Sequence, residues 1–151
     1  MIKELITEKT ICFKDSVENW EEAIRIGAAP LIETGSITPG YIDDIIANVN
    51  KHGPYIVIAP GFALSHAKSE HVNTIGMSYL RLNEPVYIQG REDRSATVII
   101  TLAACDNTSH LQAMKELAKI LMNETYYAQF LNCKTKEDVL EIIEQALGGD
   151  E

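Results

Sequence analysis

Residues 58–68, IAPGFALSHAK, carry an apolar run through a Pro60-Gly61 corner and deliver a histidine, His66. A second histidine, His110, stands in ACDNTSH at 104–110, directly after the most apolar run of the chain. It falls in the first turn of an expected helix, capped by Asp106, Asn107 or a neighbour. Imidazole is the side chain that can serve near neutral pH as nucleophile, base or N–H donor. Unpaired N–H groups at a helix N-terminus favour an anion. Two histidines at the ends of two strands, one beside such a terminus, suit the handling of a phosphoryl group. Taken singly, His66 also fits a satisfied structural histidine, and His110 one that faces water.

The other two histidines carry less. His52 stands at an expected helix end, where an imidazole complements the last carbonyls. His71, in KSEHVN, reads as a solvated loop residue, and its spacing of five from His66 does not match the i, i+4 geometry of helical metal pairs. Cys12, Cys105 and Cys133 are widely separated with no CxxC pair, so each reads as a small buried apolar residue, not as a disulfide or zinc ligand. No metal and no cofactor is expected.

These residues need elements to position them. Residues 15–35 begin with Asp15 as an expected cap, and Trp20, Ala23, Ile24, Gly27 and Leu31 recur at helical spacing. Thr38 and Pro39 open a second helix with Tyr41, Ile42, Ile45, Ile46 and Val49 on its apolar side, and His52-Gly53-Pro54 stops it. Three strands follow, YIVIA at 55–59, IGMSYLRL at 75–82 and ATVIITLAA at 96–104, the last apolar on both faces and therefore central. Beyond them, Leu111, Met114, Leu117, Ala118 and Leu121 form one stripe, and ETYYAQFLNC and the Thr135-capped TKEDVLEIIEQAL read as two more helices. Helices flanking strands in this order predict an α/β or mixed sheet covered on both faces.

The 151 residues, 46% of them hydrophobic, suffice for one domain over 1–151, with GGDE at 148–151 as a frayed tail. A net charge of -9 and the lack of a basic cluster argue against nucleic acid. No apolar run is long enough for a membrane span, and the N-terminus lacks a secretory pattern, which predicts a cytoplasmic protein.

The chain resembles the IIA component of the bacterial sugar phosphotransferase system (PTS), type 2, the mannitol/fructose class, in its ascorbate-type branch. HGPYIVIAPGFALSHAK, then ACDNTSH opening a helix, Glu84-Pro85-Val86 and CKTKEDV at 133–139 carry the likeness along essentially the whole chain. The resemblance implies a mannitol-type IIA fold, a single domain with a mixed, roughly five-stranded sheet. It also implies an enzyme of the phosphotransferase class, with His66 in the place of the transiently Nε2-phosphorylated histidine and His110 as the partner that steadies the phosphoryl group. The implied donor is the phosphocarrier protein HPr. The acceptor is a cysteine of a IIB component, with the membrane IIC component reached only indirectly. Ascorbate or a related sugar acid is the implied cargo of the system.

The chain departs from the family's habit at Ser65, at Lys68, at Ser69, where proline is frequent, and in having no match to the upstream arginine of mannitol-type members. Ser65 stands where proline is usual, adding a hydroxyl that could bond a phosphoryl oxygen, and Lys68 replaces arginine, keeping charge without the planar fork. With Asn107, Thr108 and Ser109 at the helix start, these complete the expected phosphate contacts. Phe62 and Leu64 read equally as an exposed docking anchor or as core, and the apolar helices allow a homodimer. A regulatory IIA-like protein, or a module binding a ligand or metal through its histidines, is the alternative.

Overall fold

The computed structural model describes residues 1–148; of the tail expected at 148–151, Gly148 is the C-cap of the last helix, its N–H bonded to the Glu144 carbonyl, and 149–151 lie outside the described residues. Five strands form one mixed sheet: β1 (Ile11–Lys14), β2 (Val57–Ala59), β3 (Gly61–Ser65), β4 (Gly76–Tyr87) and β5 (Ser95–Ala103), in the order β1-β4-β5-β3-β2. Among the described residues six α-helices accompany them, with one 3-10 turn at Ile88–Gly90: α1 (Ile2–Leu5), α2 (Trp20–Glu33), α3 (Pro39–His52), α4 (Asn107–Leu121), α5 (Glu124–Leu131) and α6 (Lys136–Leu147).

The run at 96–104 is β5, and it is the central strand. Val98, Ile100 and Leu102 face one core with Phe62, Leu64, Met77 and Tyr79, while Ala96, Ile99 and Ala103 face the other with Ala63 and Leu80. The first core is closed by α1, α4, α5 and α6, the second by α2 and α3. Both faces are therefore covered, as β5's two-sided apolarity requires. Phe62 and Leu64 are buried, which resolves their two readings in favour of core.

Several expectations need correction. β1 and α1 are four residues each, too short for periodicity to announce them, and β3 was hidden behind the corner that precedes it. Pro60 and Gly61 turn β2 back into β3 as an antiparallel pair, with Gly61 at φ +81°, a conformation that L side chains rarely adopt. The N-cap of α2 is Asn19, whose side chain accepts from the Glu22 N–H. Asp15 instead accepts a hydrogen bond from the Asn83 side chain. On α4 the buried stripe is Ala113, Leu117 and Ile120, and Leu111 is exposed. Of the cysteines only Cys133 is buried; Cys12 is half-buried and Cys105 exposed. Thr135 caps α6 as expected, in a full capping box with Asp138.

One row of the sheet is polar. Ser65, Thr101 and Ser78 stand side by side on β3, β5 and β4, and all three are buried against the α2 side. Ser78 donates to the Gly27 carbonyl, but the Ser65 and Thr101 hydroxyls have no protein partner. A buried hydroxyl without a bond is destabilising, so Thr101→Val, which keeps the side-chain shape, is expected to raise stability by about 1 kcal/mol. Urea unfolding checks this as a higher midpoint at unchanged slope. A lower midpoint would mean that the hydroxyl is satisfied by buried water.

Candidate functional site

Strands β3 and β5 are hydrogen-bonded neighbours running parallel, with Ser65 paired to Thr101. Their carboxyl ends therefore emerge on the same edge of the sheet. His66 is the first residue beyond β3, and His110 is the fourth residue of α4, which starts shortly after β5. Parallel pairing thus joins two residues 44 positions apart in sequence: the ring centroids lie 5.8 Å apart at an interplanar angle of 38°. Both line an open cavity of about 880 Å³.

The His66 ring is fixed by its own strand. Nδ1 lies 2.9 Å from the Leu64 carbonyl oxygen, which can only accept. Nδ1 therefore carries the proton, and in the neutral ring Nε2 holds the lone pair. Burial is the main influence that lowers the His66 pKa. The bond to Leu64 works against it, and neighbouring His110 lowers it further. A ring that resists protonation remains a nucleophile.

Two tyrosines that the sequence reading did not single out as functional hold the turn. The Tyr41 hydroxyl, from α3, donates to the Leu102 carbonyl of β5 and accepts from the Ala67 N–H, tying the residue after His66 to the neighbouring strand. Burial pushes its pKa up to about 12, so it stays a neutral hydroxyl able to do both. The Tyr55 hydroxyl donates to the His66 carbonyl at 2.9 Å, and its ring meets the imidazole edge-on at 5.7 Å. Tyr41 was legible only as a helix-face core position. The available signal was its hydroxyl, since a buried tyrosine needs a partner for its polar end.

The segment after His66 is fastened as well. Ser69 Oγ donates to Asp44 of α3, and His71 Nδ1 lies 2.9 Å from the same carboxylate. His71 is therefore more than a solvated loop residue: hydrogen bonding to Asp44 raises its pKa, while Ser69 and His71 together lower that of Asp44. Thr38 and Ser36 extend the tie through backbone bonds to residues 71–74. His52 is the exposed last residue of α3, away from the cavity lining.

Other expected phosphate contacts divide. Lys68 and Asn107 line the cavity with the two histidines. Ser65 does not: its side chain is buried on the α2 side of the sheet, so its hydroxyl is not presented to an incoming group. Thr108 and Ser109 are also absent from the lining. Asp106 caps α4, and its carboxylate accepts from the Ser109 N–H at 2.7 Å and from the Ser109 hydroxyl, while its carbonyl takes the His110 N–H. The expected cradle of amides at 107–110 is thus partly filled by Asp106. Among the described residues no group of three or more His, Cys, Asp or Glu is gathered to hold a metal ion, and no helix is long and apolar enough to cross a membrane.

The arrangement is a neutral nucleophilic ring at the rim of a wide, open cavity, with a second imidazole against it. It suits a group passed between large molecules. Comparison with known proteins gives the family and the fold. The family model for the phosphoenolpyruvate-dependent sugar phosphotransferase system, EIIA 2, matches residues 4–146. The ascorbate-specific PTS system EIIA component of Escherichia coli (strain K12) is 29% identical over 143 residues, spanning 93% of each chain. The solution structure of the mannitol-specific cryptic phosphotransferase enzyme IIA CmtB from Escherichia coli superposes with a TM-score of 0.87 at 30% identity, covering 95% of this chain and 98% of that one. The fold is also shared, at a TM-score of 0.78 and 21% identity, with the complex of enzyme IIAMTL and phosphorylated enzyme IIBMTL from Escherichia coli, over 93% of this chain and 99% of that one.

Proposed function

The chain belongs to the EIIA 2 family of the phosphoenolpyruvate-dependent sugar phosphotransferase system, and from that premise we propose that it is a cytoplasmic phosphoryl carrier that is loaded on His66 by HPr and discharges to a IIB cysteine. The observation that carries the reading is the Nδ1–H bond from His66 to the Leu64 carbonyl beside His110. The similarity to ascorbate-specific EIIA components supports a system for ascorbate or a related sugar acid. The likeness in fold to a IIA protein held with phosphorylated IIB supports the choice of acceptor.

The chemistry follows from the tautomer. Nε2 of His66 attacks the phosphorus of the donor's phosphohistidine; the donor's P–N bond breaks and its electron pair returns to the donor ring. In the second step a IIB cysteine thiolate attacks the same phosphorus, the P–Nε2 bond breaks, and the pair returns to Nε2. Nδ1–H can remain on the Leu64 carbonyl throughout, so the ring need not turn between loading and discharge. Phosphoryl transfer depends on positioning and on donors to the equatorial oxygens. In this reading His110 supplies one donor, with Lys68 and Asn107 beside it. Asp44, Glu70 and Asp106 also line the cavity. Their negative charge limits how tightly a phosphoryl dianion is held, which keeps it transferable.

Loading requires the unprotonated ring. Since the His66 pKa is lowered, the nucleophilic form persists to a lower pH than for a free imidazole. The ring titration of His66 by NMR, and the acid limb of its loading rate, are expected below the ordinary value of about 6.5. Labelled protein then mixed with IIB is expected to lose its label to the IIB cysteine. An acid limb above that value would contradict the assigned environment, and label that stays on the protein would favour a regulatory role.

A further inference from the structure

A second cavity, of about 430 Å³, lies far from His66 and is lined by Phe13, Lys14, Asp15, Arg81, Asn83 and Lys134. Strand β1 runs parallel to β4, and β4 antiparallel to β5, so Lys14 at the end of β1 sits at the opposite end of the sheet from His66. β1 is also an edge strand, separated from β3 by β4 and β5.

The chain carries a net charge of -9, yet three of its 13 lysines and arginines line this cavity against one carboxylate. None of the three takes part in an ion pair among the described residues, although the Asp138 carboxylate, which accepts from the Lys134 backbone N–H, feels the Lys134 charge from outside the cavity lining. Arg81 is held in place without being neutralised. Its Nε donates to the Leu131 carbonyl at 3.0 Å and its Nη1 to Asn83 Oδ1 at 2.8 Å, while Asn83 in turn donates to Asp15 at 2.6 Å. The amide of Asn83 thus stands between Arg81 and Asp15, donating to that carboxylate in place of the guanidinium. A guanidinium has five N–H donors, so this chain of bonds fixes the fork while leaving donors over. Lys14 and Lys134, both exposed, add two compact charges. The half-buried Phe13 ring forms the apolar wall.

We propose that this cavity binds a small phosphate monoester, with Arg81, Lys14 and Lys134 on the phosphate and Phe13 against the carbon skeleton. A phosphate monoester carries close to two negative charges at pH 7, which matches the net charge of the lining. The cavity has room for more than the phosphate group, and the donors left over on the positioned guanidinium can pair with two of its terminal oxygens. The site does not depend on the role of His66, and neither Lys14 nor Lys134 belongs to the phosphoryl-transfer machinery.

The test is a titration of the full chain followed by amide NMR shifts at fixed ionic strength, with a hexose 6-phosphate, the unphosphorylated hexose and sulfate as probes. The hexose phosphate is expected to shift Phe13, Lys14, Asn83 and Lys134 saturably and to bind about tenfold tighter than sulfate, while the neutral hexose shifts none of them. Replacing both lysines, Lys14→Gln with Lys134→Gln, is expected to weaken binding by about tenfold or more and leave loading of His66 unchanged. The control Lys136→Gln, whose ammonium bonds the Glu8 carbonyl outside the cavity, is expected to bind normally. Shifts confined to the His66 cavity, equal affinity for sulfate, or binding indifferent to the double variant would each overturn the proposal.

Discussion

His66→Ala is expected to take up no acid-labile phosphate from HPr, while the unaltered chain is loaded to about one phosphoryl group per molecule. The loss should be complete because the nucleophile itself is removed, and no neighbouring group can replace Nε2 at the same point. The fold should survive. His66 is only half-buried, and its side chain contributes one hydrogen bond to Leu64 and an edge contact with Tyr55, together worth about 1–2 kcal/mol. An unchanged amide NMR spectrum away from the cavity, recorded beside the labelling assay, separates lost chemistry from lost structure. Full labelling of the variant would move the phosphorylation site to another histidine and remove the proposed carrier mechanism.

The second large effect is expected at His110. If its imidazole donates to a phosphoryl oxygen in the transition state, His110→Ala removes one preorganised donor while leaving the His66 nucleophile. Deletions of single donors of this kind lower rates by roughly 10²–10³-fold. Loading of His110→Ala should therefore slow by about that factor yet still reach the same final level, and His110→Gln, which retains an N–H donor, should recover part of the rate. The alternative, that the ring only packs against His66, predicts equal effects of Ala and Gln. A stopped-flow rate for His110→Ala equal to that of the unaltered chain would exclude the donor role.

Much of the architecture was open to reading because local chemistry announced it. β5 declares itself central by being apolar on both faces. Pro39 at the first position of α3 and Thr135 at the cap of α6 mark boundaries that the structure keeps. The misreadings have a common origin in choices that local sequence leaves open. Asp15 and Asn19 are both competent caps, and the pairing of β1 with β4 claims Asp15 for Asn83, which leaves Asn19 for the helix. The apolar side of α4 admits two nearby stripes, and packing against α5 and α6 selects Ala113, Leu117 and Ile120 and turns Leu111 outward. β1 is a strand because β4 offers it a partner edge.

The sequence by itself determined the chemical candidates: a histidine after a Pro-Gly corner, a histidine in the first turn of a capped helix, and the central strand before it. These follow from residue types and from spacings of a few positions. Only the tertiary structure decided which candidates meet. Parallel pairing of β3 with β5 brings His66 to His110, and the alternation of side chains along β3 sends Ser65 to the opposite face from Leu64, away from the cavity. The same folding sets Arg81 of β4 beside Lys14 of β1 and Lys134 beyond α5. Hydrogen bonding between strands and the facing of side chains are properties of pairs of distant segments, and no single segment contains them.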